Sequence, residues 1–375
     1  MTRYMKETLN CDVFIIEIDE ASYINAIQYA YDGYCGDIEK FEWKNKLAMA
    51  PQFDFVIFSD VIEHLVNPEP VVKEVLEYLK FDGKVLFSVP NIAHNAVIID
   101  LIRNKFIYRT TGLLDYTHLR HFTYDSLCEL VGKCGLVPYI QDGTVIQLSE
   151  SEFNNDYRDV PPAVEMELAK KEFGTVYQFI FICVKHDYYK YNSDSITIQR
   201  KIKDIPHTEQ LKLYAEVNGQ FTEHRTVETQ YTFGYNTLEF DVRDYGVKRF
   251  RVDFANRPCM VIIETIKING TAINTALLNG NYNSKIENAM LFSHSDPYVF
   301  ISSDEVISTI EVELTIKPVM DEQIFKLAEN AILQKQLELA AVPKVLLALT
   351  NSTAWKMMKR LRVILDKIKR IAKGG

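Results

Sequence analysis

Between Phe53 and Asn91 the chain reads apolar strand, amphipathic helix, apolar strand, and that order leaves few folds open. Phe53-Asp54-Phe55-Val56-Ile57-Phe58 is a short apolar run that gives way to Ser59 and Asp60. Val71, Val72, Val75, Leu76 and Leu79 then recur at three- and four-residue spacing, the period of one helix face. Phe81-Asp82-Gly83 breaks that helix, and Lys84 to Val89 forms a second apolar run stopped by Pro90-Asn91. Two strands joined through a helix pair in parallel, with a right-handed crossover. Open parallel sheets bind ligands off the carboxyl ends of their strands, here Ser59 to His64 and Pro90-Asn91.

The neighbouring segments extend the α/β pattern. Met1 to Leu9 reads as the end of a helix, and Asp12 to Asp19 (DVFIIEID) as a buried-type parallel strand with Glu17 and Asp19 at its end. A helix follows over Ala21 to Tyr31, and another around Ala96 to Asn104. Thr123 is a good N-cap for a helix over Tyr124 to Cys134, and Gly135 a good stop. Strands are expected at Leu136 to Gln141 and Thr175 to Val184. The acidic segment Ser149 to Lys171, with Pro161-Pro162, reads as a loop and helix over the ligand-binding face.

Composition narrows the class. At 375 residues two or three units are expected, and 47% hydrophobic with 25% charged residues is globular. Six cysteines (Cys11, Cys35, Cys128, Cys134, Cys183, Cys259) form no CxxC pair, which fits a reducing compartment such as the cytoplasm and gives no metal ligand set. No apolar run reaches membrane-span length, and no signal-peptide pattern opens the chain. From Pro343 onward nine Lys/Arg face one acid, Asp366, a local charge of +8; with −9 overall, the residues before it carry −17. So acidic a body argues against a nucleic-acid partner, which needs a basic face.

Taken in order, the pieces resemble class I S-adenosylmethionine-dependent methyltransferases. The resemblance rests on Asp54, Ser59, Glu63-His64-Leu65, the turn Leu79-Lys80-Phe81-Asp82-Gly83, and Ser88-Val89-Pro90-Asn91. It implies that Glu17 accepts hydrogen bonds from the cofactor ribose, with Asp19 as the alternative. It further implies that Asp37, in the turn Gly36-Asp37-Ile38-Glu39, accepts the adenine amino group while Ile38 packs on the ring; Ser59 completes the cofactor set. Gly112-Leu113-Leu114-Asp115-Tyr116-Thr117-His118-Leu119-Arg120-His121-Phe122-Thr123 resembles a bacterial subgroup associated with surface-polysaccharide and lipopolysaccharide assembly. The departure lies at the start. The family's first strand and glycine-rich loop precede the helix that here begins near Met1. A sheet without that strand leaves backbone groups unpaired, at about 1–3 kcal/mol each. The expectation is therefore an incomplete Rossmann-like sheet, the sequence being a truncated reading of an enzyme or, alternatively, an inactive domain.

His64 lies at the carboxyl end of a strand, where methyl donor and acceptor would meet, and His118 in the resembling loop. A histidine titrating near neutrality can take the proton from a sugar hydroxyl or amine. Arg120 can hold an anionic substrate such as a nucleotide-sugar phosphate. A turn histidine capping a helix, or a loop histidine and arginine bonded to the backbone, explains the same residues without catalysis. His94 and His121 are weaker candidates.

Asp187 to Asp194 (DYYKYNSD) reads as a polar linker, so the first domain is placed at 1–187. Over 195–318 alternating runs recur, Leu211 to Val217, Thr237 to Val242, Phe250 to Phe254, Met260 to Ile268 and Glu305 to Ile316, separated by turn signals such as Asn218-Gly219 and Asn269-Gly270. That is the signature of an all-β sandwich. Tyr231, Phe233 and Tyr235 are candidates for stacking on sugar rings, although strand aromatics are more often core. Residues 319–375 read as C-terminal helices. Ser352 to Ala372 sets Trp355, Met358, Leu361, Ile364, Leu365, Ile368 and Ile371 on one stripe, opposite Lys356, Lys359, Arg360, Lys367 and Arg370. This basic amphipathic pattern suits peripheral contact of residues 352–372 with an anionic membrane at its cytoplasmic face, each cation worth about 1 kcal/mol. Docking on the acidic body, within the chain or in a homo-oligomer, is the alternative.

The leading expectation is methyl transfer from S-adenosylmethionine to a saccharide or nucleotide-sugar precursor. A non-catalytic, glycan-binding scaffold held at the membrane is the rival. A glycosyltransferase partner ranks last, for want of an Asp-x-Asp motif in a suitable loop.

Overall fold

The computed structural model describes residues 1–47 and 52–319. The chain divides into two compact units, Met1–Ile205 and a second beginning at Pro206. The expected tail helices lie outside the described residues. Among the described residues no helix is long and apolar enough to cross a membrane.

The first unit is α/β. Helix α1 (Thr2–Glu7) leads to β1 (Phe14–Glu17), α2 (Glu20–Ile27) and β2 (Asp32–Cys35), with β1 and β2 parallel. A short helix, α3 (Lys44–Leu47), follows. The crossover predicted from the sequence is β3 (Phe53–Ser59), α4 (Pro68–Val75) and β4 (Leu79–Pro90), and the two strands pair in parallel with Ile57 opposite Leu86. Then come α5 (Asn95–Ile102), α6 (Tyr124–Lys133), β5 (Leu136–Val145), α7 (Pro162–Ala169), β6 (Val176–Lys185), α8 (His186–Tyr191) and β7 (Gln199–Arg200). The main sheet runs β3-β4-β6-β5-β7, with β6 antiparallel to both its neighbours. β1 and β2 form a separate two-stranded sheet. Among the described residues no strand pairs with the second edge of β1 or of β3, the edges between which the resemblance places a further strand. The rings of Phe14 and Phe53, the first residues of these two strands, lie 6.3 Å apart.

Several expected boundaries move, each for a local reason. The helix predicted over Ala21 to Tyr31 ends at Ile27 because the Tyr31 N–H donates to the Val13 carbonyl at 3.0 Å and turns the chain into β2. The strand predicted to stop at Gln141 runs to Val145, since β6 continues to offer partners. The Asp187 to Asp194 segment carries α8, and β7 returns to pair with β5, so the unit ends at Ile205, beyond the expected 187.

The core of this unit lies between the main sheet and helices α4 and α6. Val85, Phe87 and Val89 on β4, Phe179 and Phe181 on β6, Val71 and Val72 on α4, and Leu127 and Val131 on α6 are all buried in one cluster. Thr123 caps α6 through its hydroxyl, and Gly135, at φ +74°, ends it in the left-handed region that glycine reaches without strain. The buried Asn91 fastens the end of β4. Its Nδ2 donates to the carbonyls of Phe173 (3.1 Å) and Val176 (2.7 Å), and its Oδ1 accepts from the Ala93 N–H.

In the second unit two antiparallel sheets share one core. β8 (Glu209–Val217), β9 (Gln220–Tyr231), β10 (Gly234–Asp241), β11 (Arg249–Asp253) and β12 (Cys259–Ile268) are followed by β13 (Thr271–Ala272), β14 (Asn279–Gly280), β15 (Ser284–Ile286), β16 (Ala289–Phe292), β17 (Tyr298–Ser302) and β18 (Thr309–Pro318). One sheet runs β10-β18-β12-β16-β15 and the other β14-β17-β11-β8-β9. Alternate residues of both, such as Leu213, Val252 and Ile301 against Val261, Leu314 and Phe292, meet in a single cluster, as in a sandwich. Tyr231 is 2% exposed and belongs to that core, and Phe233 packs on it, while Tyr235 is 60% exposed. Outward aromatics already hold cations: Arg251 lies 4.2 Å from the Tyr298 ring centre, and Arg249 4.4 Å from that of Phe300. The aromatics named as sugar platforms thus serve mainly as scaffold.

Replacing Asn91 by Ala leaves two carbonyls and one amide without their partner. At about 1–3 kcal/mol per buried orphan, a loss of about 2–4 kcal/mol is expected, read by native-state hydrogen exchange of the β4 and β6 amides. A loss below about 1 kcal/mol would contradict the bracing role.

Candidate functional site

The carboxyl ends of the parallel strands gather the residues singled out in the sequence. Glu17 closes β1, its carboxylate accepting the Asp19 N–H at 3.0 Å, and its carbonyl accepts the Gly36 N–H after β2. Asp19, the alternative ribose ligand, is engaged as the N-cap of α2: its Oδ2 accepts the Ser22 N–H at 2.7 Å, which holds its pKa below the ordinary value. Asp37 caps the single turn Ile38–Lys40 by accepting the Glu39 N–H at 2.9 Å. Ile38 packs partly on the core, and its carbonyl receives the Trp43 indole N–H. Ser59 ends β3 opposite Ser88, its hydroxyl 3.5 Å from Asp60.

A residue the sequence reading passed over joins these to the rest of the site. Both carboxylate oxygens of Glu39 accept backbone N–H groups after β3, Oε2 from Val66 (2.9 Å) and Oε1 from Asn67 (2.7 Å). The turn bearing Asp37 and Ile38 is thereby clamped to the turn bearing His64. Arg120 binds the same place from the other side, its Nε donating to the Val66 carbonyl at 3.0 Å and its Nη2 to that same oxygen. The N–H groups of Leu119 and Arg120 donate to the Glu63 carbonyl at 2.8 and 2.9 Å. Arg120 therefore corrects the expectation of an anion ligand: its guanidinium is directed at backbone, and it is not among the cavity-lining residues.

The cavity itself, about 480 Å³, opens beside the carboxyl ends of β3 and β4 and is lined by Asp60, His64, Pro90, Thr111, Gly112, Asp115, His118, Glu152, Tyr177 and Gln178. Asp60 adopts φ +52°, a left-handed conformation uncommon outside glycine and the Asx residues, and accepts from the Gln178 amide. Burial raises its pKa. Glu152 accepts the Leu113 N–H at 2.7 Å and the Tyr177 hydroxyl at 3.0 Å; burial first and then Glu152 push Tyr177 up. It comes from the acidic segment expected to cover this face. Among the described residues no Lys or Arg lines the cavity.

The two leading histidines meet here across 54 residues of sequence, their ring centres 4.8 Å apart and edge to face. His64 Nδ1 is 3.1 Å from the Thr117 carbonyl, and His118 Nδ1 3.3 Å from that of Leu113. A carbonyl only accepts, so each Nδ1 carries the proton and, in the neutral ring, each Nε2 presents a lone pair. Burial foremost, and also His64, hold His118 below its ordinary pKa, against the raising effect of the Leu113 carbonyl and Asp115. Glu63 lies directly beneath, 1% exposed, with neither carboxylate oxygen finding a hydrogen-bond partner among the described residues. That burial pushes its pKa up to about 8. His94 is not part of the cavity: it is buried, accepting the Ala96 N–H as the cap of α5 and donating to the Ile146 carbonyl. His121 is half-buried, 6.5 Å from His118.

The sequence alone gave no reason to group Glu39, Asp60, Asp115, Glu152, Tyr177 and Gln178. The only local signal was the positive-φ tolerance of Asp60 at a strand end.

Glu63 generates a pH test. Its folded pKa lies above the ordinary 4.5, so the stability contributed by its neutral form is complete below about pH 4.5 and is lost as the pH rises to about 8. The slope is at most about 1.4 kcal/mol per pH unit. In chelator-containing buffer, Glu63→Gln is expected to match the parent melting point at pH 5 and to exceed it by several degrees at pH 8. Equal melting points at both values would contradict the buried, unpartnered carboxyl.

Comparison with known proteins finds one family model and a set of solved structures. Residues 1–139 match the family model described as a methyltransferase domain. Similar solved structures include a SAM-dependent methyltransferase from Thermotoga maritima, with 16% identity over 49% of this chain and 77% of that chain and a TM-score of 0.32. Another, from Archaeoglobus fulgidus, shows 16% identity over 48% of this chain and 79% of that chain, at a TM-score of 0.31. A third, from Clostridium acetobutylicum, shows 10% identity over 47% and 75% of the two chains, at 0.29. No curated protein matches the chain. The matched segment, 1–139, carries the parallel strands β1 to β4 and both His64 and His118, while Glu152, Tyr177 and Gln178 of the cavity lie beyond it.

Proposed function

We propose that the first unit transfers a methyl group from S-adenosylmethionine to a hydroxyl or amine of a sugar, as found in surface-polysaccharide and lipopolysaccharide precursors. The observation that carries the reading is the clamp of Glu39 on Val66 and Asn67, which fixes the Glu17–Asp37 side against the His64–His118 cavity within the methyltransferase-like segment. Glu17 would take the ribose hydroxyls and Asp37 the adenine edge, with Ile38 and Ser59 beside them. The cavity would hold the acceptor. Its lining of Asp60, Asp115 and Glu152 with Tyr177 and Gln178, and without Lys or Arg, suits a neutral polyol or an amine and repels phosphate.

The reaction is one displacement. The acceptor oxygen or nitrogen attacks the methyl carbon, the sulfur–carbon bond breaks with its electron pair going to sulfur, and the acceptor proton leaves. His64 and His118 act on the acceptor side through their Nε2 lone pairs. Arg120 braces the loop. The basic stripe at 352–372 would hold the protein near anionic lipid, a reading supported by its local charge of +6 (seven Lys/Arg against Asp366) alone.

A second reading has its own observation. β1 and β3 each pair on one side only, which would suit a non-catalytic, methyltransferase-like scaffold. Calorimetric titration of S-adenosylhomocysteine separates the two. Enzyme function predicts micromolar binding, weakened at least about tenfold by Glu17→Ala and by Asp37→Ala, the loss of one charge-assisted hydrogen bond each. Absence of binding, or binding indifferent to both substitutions, would favour the scaffold.

A further inference from the structure

We infer that Glu63, His64 and His118 form a binding site for a divalent first-row transition cation in the wall of the cavity. Ligand-capable atoms of the three side chains lie within 4.8 Å of one another. Bonds of about 2.0–2.2 Å on either side of one ion need only small rotations to close from there.

Three independent features point to a cation. The first is the Glu63 carboxylate, 1% exposed and without a hydrogen-bond partner among the described residues. Proteins pair a buried carboxylate or place it against a metal. The second is the orientation of the imidazoles. Each directs Nδ1–H at a backbone carbonyl, Thr117 for His64 and Leu113 for His118, the arrangement that fixes metal-ligating histidines with Nε2 outward. The brace continues outward, since Asp115 Oδ1 accepts both the N–H and the hydroxyl of Thr117. The third is the field: Asp60 and Asp115 face both histidines, and Glu152 lines the same cavity. Two imidazoles and one carboxylate are the donor set of zinc, iron and cobalt sites that keep positions open for substrate.

The role of the cation rests on the methyl-transfer reading. An acceptor hydroxyl at the open position is acidified, its O–H bond breaks with the proton passing to the Asp60 carboxylate, and the oxygen then forms the new bond to the methyl carbon. Sulfur keeps the electron pair of the broken bond, and the cation does not change oxidation state. The Nε2 lone pairs of both histidines then act on the acceptor through the cation they hold, and the proton goes to Asp60.

The test is calorimetric titration of ZnCl2 into the chelator-stripped full chain, repeated with Co2+ and visible spectroscopy. Expected are one ion per chain at micromolar affinity or tighter, ligand-field bands with Co2+, and a loss of at least about 100-fold for Glu63→Gln and for His118→Asn. His118→Asn alters a partly exposed ring, and circular dichroism confirms that both variants fold. No stoichiometric binding, or binding that both variants retain, overturns the site. S-adenosylhomocysteine affinity is measured on the same samples. Its presence without metal binding sinks the metal site alone, and metal binding without it sinks the methyl-transfer reading alone.

Discussion

The turn from Ile62 to Asn67 is hydrogen-bonded from two directions. Glu39 holds the amides of Val66 and Asn67, while the loop segment at Leu119 and Arg120 holds the Glu63 carbonyl and, through the guanidinium, the Val66 carbonyl. Three stretches far apart in sequence are thereby fixed around the end of β3. Without this turn the Asp37 carboxylate, the two histidines and the cavity would have no defined separation. Backbone groups make the fixed ends of these bonds, so the arrangement depends on the path of the chain more than on any one rotamer. Ile62, fully buried behind the turn, anchors it to the core.

The same region explains how a divided sheet can carry a defined site. Among the described residues β1 and β2 form strand pairs only with each other, and β3 leads the main sheet with one edge unpaired. What joins the two sheets at their carboxyl ends is the side chain of Glu39; at their beginnings it is the contact of Phe14 with Phe53. An exposed strand edge is a place where another strand adds readily. The cofactor side of the proposed site borders that edge, whereas the acceptor side is built wholly on β3, β4, β6 and the loops over them.

The crossover was legible because its physics is local. The apolar runs at Phe53 to Phe58 and Lys84 to Val89, with the helical spacing of Val71, Val72 and Val75 between them, dictate a parallel pair by themselves, although the helix stops at Val75 and β4 already begins at Leu79, so that Gly83 lies inside the strand and not at a break before it. The sandwich was legible from alternation and Asn-Gly turns, although β9, a mostly polar strand (QFTEHRTVETQY) whose one buried residue is Tyr231, left little trace. The site was legible only in part. Glu17, Asp37, Ser59, His64 and His118 stand where strand ends and the resembling motifs put them. Arg120 did not follow, since an arginine in a loop satisfies a carbonyl as readily as a phosphate and the sequence cannot say which is nearer. Glu39, Glu152 and the approach of Glu63 to His118 depend on contacts across 27 to 55 residues. No periodicity records such contacts. The boundary at Ile205 was hidden in the same way, because β7 is two residues long and its pairing with β5 is tertiary.

The measurement that bears most directly on the central claim is a crystal structure of the full chain grown with S-adenosylhomocysteine. The account places the ribose hydroxyls on Glu17, the adenine edge at Asp37 against Ile38, and the sulfur toward Ser59 and the mouth of the His64–His118 cavity. Ligand density away from these strand ends, with Glu17 and Asp37 left to solvent and the cavity unconnected to it, would contradict it.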